Sequence, residues 1–144
     1  MAEMNDSFNE VTAEMLKVIS DYDSVTGFQG AYNIRQDSMC AGRKNSENIT
    51  IESKTDKPGI NIRVKPGTKG ETVYIPACVT HSNVDDLVYN DFFIGEGADV
   101  TIVAGCGVHS DGSETARHNG IHRFFLEKGA KVLYKEKHIG TGKG

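Results

Sequence analysis

The feature that most constrains the fold is an internal repeat. The segment Phe93-Ile-Gly-Glu-Gly-Ala-Asp-Val100 returns thirty-two residues later as Phe125-Leu-Glu-Lys-Gly-Ala-Lys-Val132. Both copies read aromatic, aliphatic, two variable residues, Gly-Ala, one variable residue, Val. A fixed period of this kind marks architectures in which each unit buries its apolar row on the next. A weaker copy precedes these two: Val64-Lys-Pro-Gly67, an insertion, then Val73-Tyr-Ile-Pro-Ala-Cys78, which echoes Val100-Thr-Ile-Val-Ala-Gly-Cys106. The repeating unit is a strand, a glycine turn and another strand.

The same period-two pattern runs from Ile49 onward. Ile49 and Ile51, then Ile60, Ile62 and Val64, then Val73 and Ile75, Val100 and Ile102, and Val132 with Tyr134 alternate with polar residues, as in half-buried strands. Turns rich in glycine separate them, which accounts for the 16 glycines in 144 residues. Two architectures satisfy this pattern, a stacked β-solenoid and an antiparallel sandwich of hairpins. Two-residue Asn-Gly turns, the strongest hairpin signal, are scarce between the strong strands. The sequence therefore predicts a mainly β fold, a right-handed parallel β-helix, with the sandwich as the alternative. In the β-helix, segments 93–104 and 125–136 are neighbouring coils.

Phe8, Val11, Met15, Ile19 and Tyr22 are spaced by three and four and predict one amphipathic helix within residues 1–27, capped by Asp6 or Ser7 and stopped near Gly27. Its other face is acidic, and the expectation is that it packs on the domain as a lid rather than serving as a partner-binding helix. Residues 27–48 read as a polar connector. Residues 28–144 form the β-helix portion, which we expect to be truncated at its C-terminal end, because Gly140-Thr-Gly-Lys-Gly144 follows a strong strand with no element to cover the stack.

No stretch approaches the roughly 18 apolar residues of a spanning helix, and the N-terminus lacks a basic region followed by an apolar run. These features predict a cytoplasmic protein. The formal net charge of -4 argues against nucleic acid as a partner. Three cysteines cannot all pair within the chain, so at least one thiol is free.

The candidate chemistry lies in Cys106, His109, His118 and His122, spaced C-x2-H-x8-H-x3-H, with Asp111 and Glu114 in the loop between. The gap is shorter than a zinc finger's and the cysteine pair is missing, which disfavours a closed structural zinc site; a looser transition-metal or iron-sulfur site with ligands from elsewhere fits better. The competing reading is bland. Loop histidines are commonly solvated, and Cys106, in step with Val100, Ile102 and Ala104, can be a small buried hydrophobe. Cys78 lies one position off the Val73, Ile75, Ala77 row and should face the other way, and Cys40 sits in the connector. Gly140-Thr-Gly-Lys-Gly144 lacks the spacing and hydroxyl of a phosphate loop, and Ser113 lies in no nucleophile-elbow pattern. No catalytic set emerges.

The run DFFIGEGADVTIVAGCGVHSDGSETARHNGIHRFFLEKGAKVLYKEKHIG, from Asp91, resembles the SufB/SufD family of iron-sulfur cluster assembly proteins, in particular its short archaeal and clostridial type. Gly105-Cys106 after an alternating strand, a polar loop, His118 opening the next strand, and a lysine-containing turn before Val132-Leu133-Tyr134 carry the resemblance. It extends more weakly back to about Gly27. Many members read Glu-Gly-Cys-Thr-Ala-Pro where this chain reads Ala104-Gly-Cys-Gly-Val-His109.

The resemblance implies a right-handed parallel β-helix and a scaffold, not an enzyme, on which iron and sulfur are assembled before transfer to apo-proteins. It implies pairing with a SufB/SufD-type subunit and an ABC-type ATPase, SufC, docked on C-terminal helices of the full-length protein. A transient iron-sulfur cluster is the implied cofactor. Cys106 takes the position that receives sulfur, and His118 matches a recurrent family histidine; His109 and His122 remain metal candidates. Two other classes stay open: a small metal-binding β-fold enzyme using Cys106, His109, His118 and His122, and a structural β-solenoid binding module.

Overall fold

The computed structural model describes residues 3–4, 9–20, 22, 27–81, 85–111 and 117–143. The fold is mainly β with one N-terminal helix. In chain order the elements are β1 (Glu3–Met4), α1 (Glu10–Ile19), β2 (Ala31–Gln36), β3 (Met39–Lys44), β4 (Ile49–Ser53), β5 (Gly59–Val64), β6 (Lys69–Val79), β7 (Asp85–Ile94), β8 (Asp99–Asp111), β9 (Arg117–Leu126) and β10 (Lys131–Lys143). From β5 onward they alternate between two sheets, ordered β1-β3-β2-β6-β8-β10 and β4-β5-β7-β9.

The repeat found in the sequence sets the register. β8 and β10 pair in parallel with Val100 beside Val132 and Ile102 beside Tyr134, and β7 and β9 pair in parallel with Phe93 beside Phe125. Segments 93–104 and 125–136 are therefore neighbours in both sheets, as expected, and no hairpin joins them. The preceding step is similar, with Val73 beside Ile102 and Ile62 beside Phe92, both parallel. Antiparallel pairs occur as well, β2 with β3 and β4 with β5, so both sheets are mixed and neither closes.

The turns stack as the strands do. Gly67 N–H donates to Glu96 O at 2.9 Å, and Gly97 N–H donates to Lys128 O at 3.0 Å. The repeated glycines are required here, because Gly97 and Gly129 lie at φ of +69° and +72°, a region side chains disfavour. Ala98 beside them is fully buried. Between the sheets, Ile49, Ile62, Val73, Phe92, Ile94, Val100 and Ile102 form the main core.

The helix begins later and ends earlier than its stripe suggests. Asn9 is the N-cap, its side-chain oxygen accepting from Thr12 N–H at 2.9 Å, and Ser20 closes the last turn by donating to Leu16 O. Asp6, Ser7 and Phe8 lie outside the described residues, and Gly27 is separate from the helix end. Met15, Leu16 and Ile19 pack with Ile34, Ala41 and Cys78 on the outer face of the six-stranded sheet, so the lid expectation holds. Cys78 does face away from the Val73 row, and burial under the helix pushes its thiol up to about 12.

The connector reading fails. Residues 31–44 form the β2–β3 hairpin, joined by Asp37 and Ser38, both at positive φ. With its apolar residues, Ala31, Tyr32, Ile34, Met39, Cys40 and Ala41, in no sustained alternation and Asp-Ser in place of Asn-Gly, the hairpin has almost no local signal. Tertiary contacts supply it, including Asp37, which accepts from Thr80 N–H at 2.7 Å.

Gly105 and Gly107 lie directly beneath the helix. A Cβ on Gly105 would sit 2.6 Å from Ile19 O and 2.7 Å from Ile19 Cβ. Backbone cannot yield cheaply, so Gly105→Ala should displace α1 and cost about 1–3 kcal/mol in urea denaturation. Gly140→Ala, whose Cβ would meet only Val108 O at 4.0 Å, should stay within about 0.5 kcal/mol of the parent.

Candidate functional site

The interior between the sheets changes character along the strands. Near the stacked turns the inward rows are apolar. Toward the other end, alternation places Val88 and Asn90 of β7, His118, Gly120 and His122 of β9, Ala104 and Cys106 of β8, and Glu136 and His138 of β10 around a cavity of about 330 Å³. Arg35 and Asn33 of β2 also line it. In the six-stranded sheet the row runs Arg35, Ala77, Cys106, His138; in the other sheet Asp86 lies beside His118 and Asn90 beside His122.

Asp86 organises this end. It is 1% exposed, and its carboxylate accepts from Arg35 Nε and Nη2 at 2.8–3.1 Å and from His118 Nδ1–H at 2.9 Å. Burial alone would raise the Asp86 carboxyl, but the hydrogen bonds from His118 and Arg35, with their charges, outweigh it and hold it well below the usual carboxylate range. Because Nδ1 of His118 is committed to Asp86, its Nε2 is the ring atom left to act toward the cavity.

Cys106 is 6% exposed and continues the Val100, Ile102, Ala104 row. Burial, reinforced by the carboxylates of Asp86 and Glu136, pushes its thiol up to about 11. Cys106 is thus a protonated thiol at neutral pH, inside the cavity rather than on the surface. His122 also lines the cavity. Burial lowers its pKa, favouring the neutral ring, and its Nδ1 is buried without a hydrogen-bond partner.

Of the sequence-nominated residues, Cys106, His118 and His122 come together and His109 does not. His109 falls on the opposite face of β8, in a groove with Val11, Glu14, Met15 and Val18 of α1. The three-histidine metal site of the enzyme alternative is therefore not assembled. Asp111 ends β8, and Ser113 and Glu114 lie outside the described residues. Among the described residues no three His, Cys, Asp or Glu side chains are grouped to hold a metal ion. Residues 141–143, placed by the sequence after the strong strand, continue β10 in register with β8.

Sequence reasoning missed Asp86 and Arg35. The repeat held the signal for one of them: extended backward from Phe93 and Phe125, the same offset lays Asp86 on His118. Arg35 has no such signal, since it lies in the hairpin read as a connector.

Breaking this cluster should be costly. Asp86→Ala leaves a guanidinium unpaired at a mostly buried position and should destabilise by about 3–5 kcal/mol. The carboxyl's folded pKa is depressed, so its contribution is present above the unfolded value and lost as pH falls. The stability gap between parent and Asp86→Asn, measured by denaturation across a pH series, should narrow progressively below about pH 4.

Known proteins give this geometry a context. No family model matches the chain, and no solved structure matches it significantly. Two curated archaeal proteins do. A homolog of an iron-sulfur cluster assembly SufBD family protein from Methanothermobacter thermautotrophicus is 32% identical over 89 residues, covering 60% of this chain and 21% of that protein. An iron-sulfur cluster assembly SufBD family protein from Archaeoglobus fulgidus is 33% identical over 98 residues, covering 67% of this chain and 26% of that protein. The chain spans about a quarter or less of the length of these relatives. By sequence it is a relative of the SufBD family of iron-sulfur cluster assembly proteins, the family its own motifs resemble.

Proposed function

We propose that this chain is a scaffold component of iron-sulfur cluster assembly, with Cys106 as the residue that receives sulfur. In this reading the parallel pairs of its two sheets are coils of a right-handed parallel β-helix. The chain carries sulfur and iron rather than catalysing a reaction of its own, and acts in the cytoplasm. Its partners are a SufB/SufD-type subunit, an ABC-type ATPase and apo-protein recipients. The names of the two relatives, both iron-sulfur cluster assembly proteins, support the assembly role. No helix among the described residues is long and apolar enough to cross a membrane.

The observation that carries the reading is the placement of Cys106 in a polar cavity lined also by Arg35 and His118, the two groups that Asp86 ties together. A surface thiolate would be reactive at all times; a buried, protonated thiol is shielded from stray oxidation. To accept sulfur, Cys106 loses its proton and its Sγ bonds to the outer sulfur of a donor persulfide. The donor's S–S bond breaks, and the departing thiolate takes up a proton. His118 Nε2, its ring fixed through Nδ1 by Asp86, is the group in the cavity suited to accept the Cys106 proton and return it. The metal-enzyme reading has less support, since its third histidine, His109, lies outside the cavity.

Two measurements test this. After incubation with a small-molecule persulfide under anaerobic conditions, mass spectrometry should find one added sulfur on Cys106, absent in Cys106→Ser. Accumulation on Cys40 or Cys78 instead would contradict the assignment. Alkylation of the native chain should modify Cys106 slowly near neutral pH and progressively faster toward pH 11, following its raised pKa; fast labelling at pH 7 would show an exposed thiolate.

A further inference from the structure

His118, Gly120 and His122 share the inward face of β9, and the glycine between the histidines is spatially constrained. A Cβ on Gly120 would meet His122 Nε2 at 2.9 Å and His118 Nε2 at 3.7 Å. Both rings therefore converge on the space that the missing side chain leaves open. The support behind His118 is that of a metal ligand. Its Nδ1–H is held by a carboxylate, which fixes the ring and leaves Nε2 forward, and the carboxylate is clamped in turn by Arg35. On His122 the nitrogen that shares this space is Nε2, while its buried Nδ1 has no hydrogen-bond partner, so no hydrogen bond through Nδ1 ties the ring to another group.

We propose that His118 and His122 form an open two-histidine docking point for ferrous iron, with Asp86 and Arg35 as its positioning residues. Two imidazoles do not make a closed site, in keeping with the absence of any three-ligand cluster among the described residues. They supply two coordination positions and leave the others to water or to sulfur on Cys106, which borders the same cavity. Imidazole nitrogen suits iron, zinc, nickel and copper alike. The choice of iron rests on the proposed assembly function, whereas the site itself rests on the geometry of β7 and β9.

The test is an anaerobic titration of the 144-residue chain with ferrous iron and, as a spectroscopic substitute, cobalt(II). One ion per chain is expected, with cobalt absorption in the visible. His118→Gln and His122→Gln should weaken binding at least tenfold, and Asp86→Asn by about 10–100-fold with the amide spectrum of the fold retained. Gly120→Ala should weaken it by filling the space between the rings, and His109→Gln should bind as the parent does. A readout that needs no variant is paramagnetic broadening by cobalt of ring signals in NMR. Broadening centred on His118 and His122 supports the site. Broadening centred on His81, His109 or His138, no binding, or binding indifferent to both substitutions overturns it. Sulfur uptake at Cys106 is scored separately. Uptake without iron binding overturns the docking point alone, and iron binding at these histidines without uptake overturns the sulfur assignment alone.

Discussion

Parallel in-register stacking is the constraint on which the rest of this structure depends. With an offset of 32 residues in both sheets at the last step, and of 29 to 30 at the one before, each inward side chain of β7 and β8 has a counterpart on either side as neighbour. Like must therefore stack on like. Ile62, Phe92 and Phe124 form one such row, the two phenylalanines stacked at 4.7 Å, and Val73, Ile102 and Tyr134 form its counterpart in the facing sheet. The same rule that makes one end of the interior apolar concentrates polar groups at the other. Asp86 cannot be placed between the sheets without His118 beside it, and Cys106 cannot be placed there without Ala77 and His138.

Charge inside a sheet stack is expensive, and the chain meets that cost in two places by multiple partners. Inside, Asp86 has a bidentate guanidinium and an imidazole. On the outer face of the four-stranded sheet, Asp91 has Lys54 and Arg123, each at 2.7 Å. The two differ in what surrounds them. Asp91 stands beside a stacked Phe93–Phe125 pair, and its role is to tie the end of β4 to β7 and β9. Asp86 holds Arg35 and His118, which line a cavity together with a thiol and a second imidazole. The arrangement of ligand-type groups, rather than the burial of a carboxylate, distinguishes a site from a structural ion pair.

The architecture was legible where the repeat was strong. The 93–100 and 125–132 segments carry identical landmarks, so their parallel register followed from the sequence, as did the inward parity of Cys106 and the outward parity of Cys78. The β2–β3 hairpin was not legible, because its apolar residues, in no sustained alternation, and its Asp37-Ser38 turn draw their stability from contacts 40 or so residues away. Of the site, spacing named Cys106, His118 and His122 but also His109, which a strict count of two along β8 puts on the opposite face. Chemistry that spans both sheets, such as Arg35 reaching Asp86, has no one-dimensional pattern to read.

The most direct test of this account is an NMR map of nuclear Overhauser contacts between strands of the 144-residue chain. In-register parallel stacking predicts a continuous series of contacts between residues 32 apart, including Val100 with Val132 in one sheet and Asp86 with His118 in the other. Contacts that instead cross, with 93–104 meeting 125–136 in reversed order, or that place Asp86 away from His118, would contradict it and would dismantle the site along with the fold.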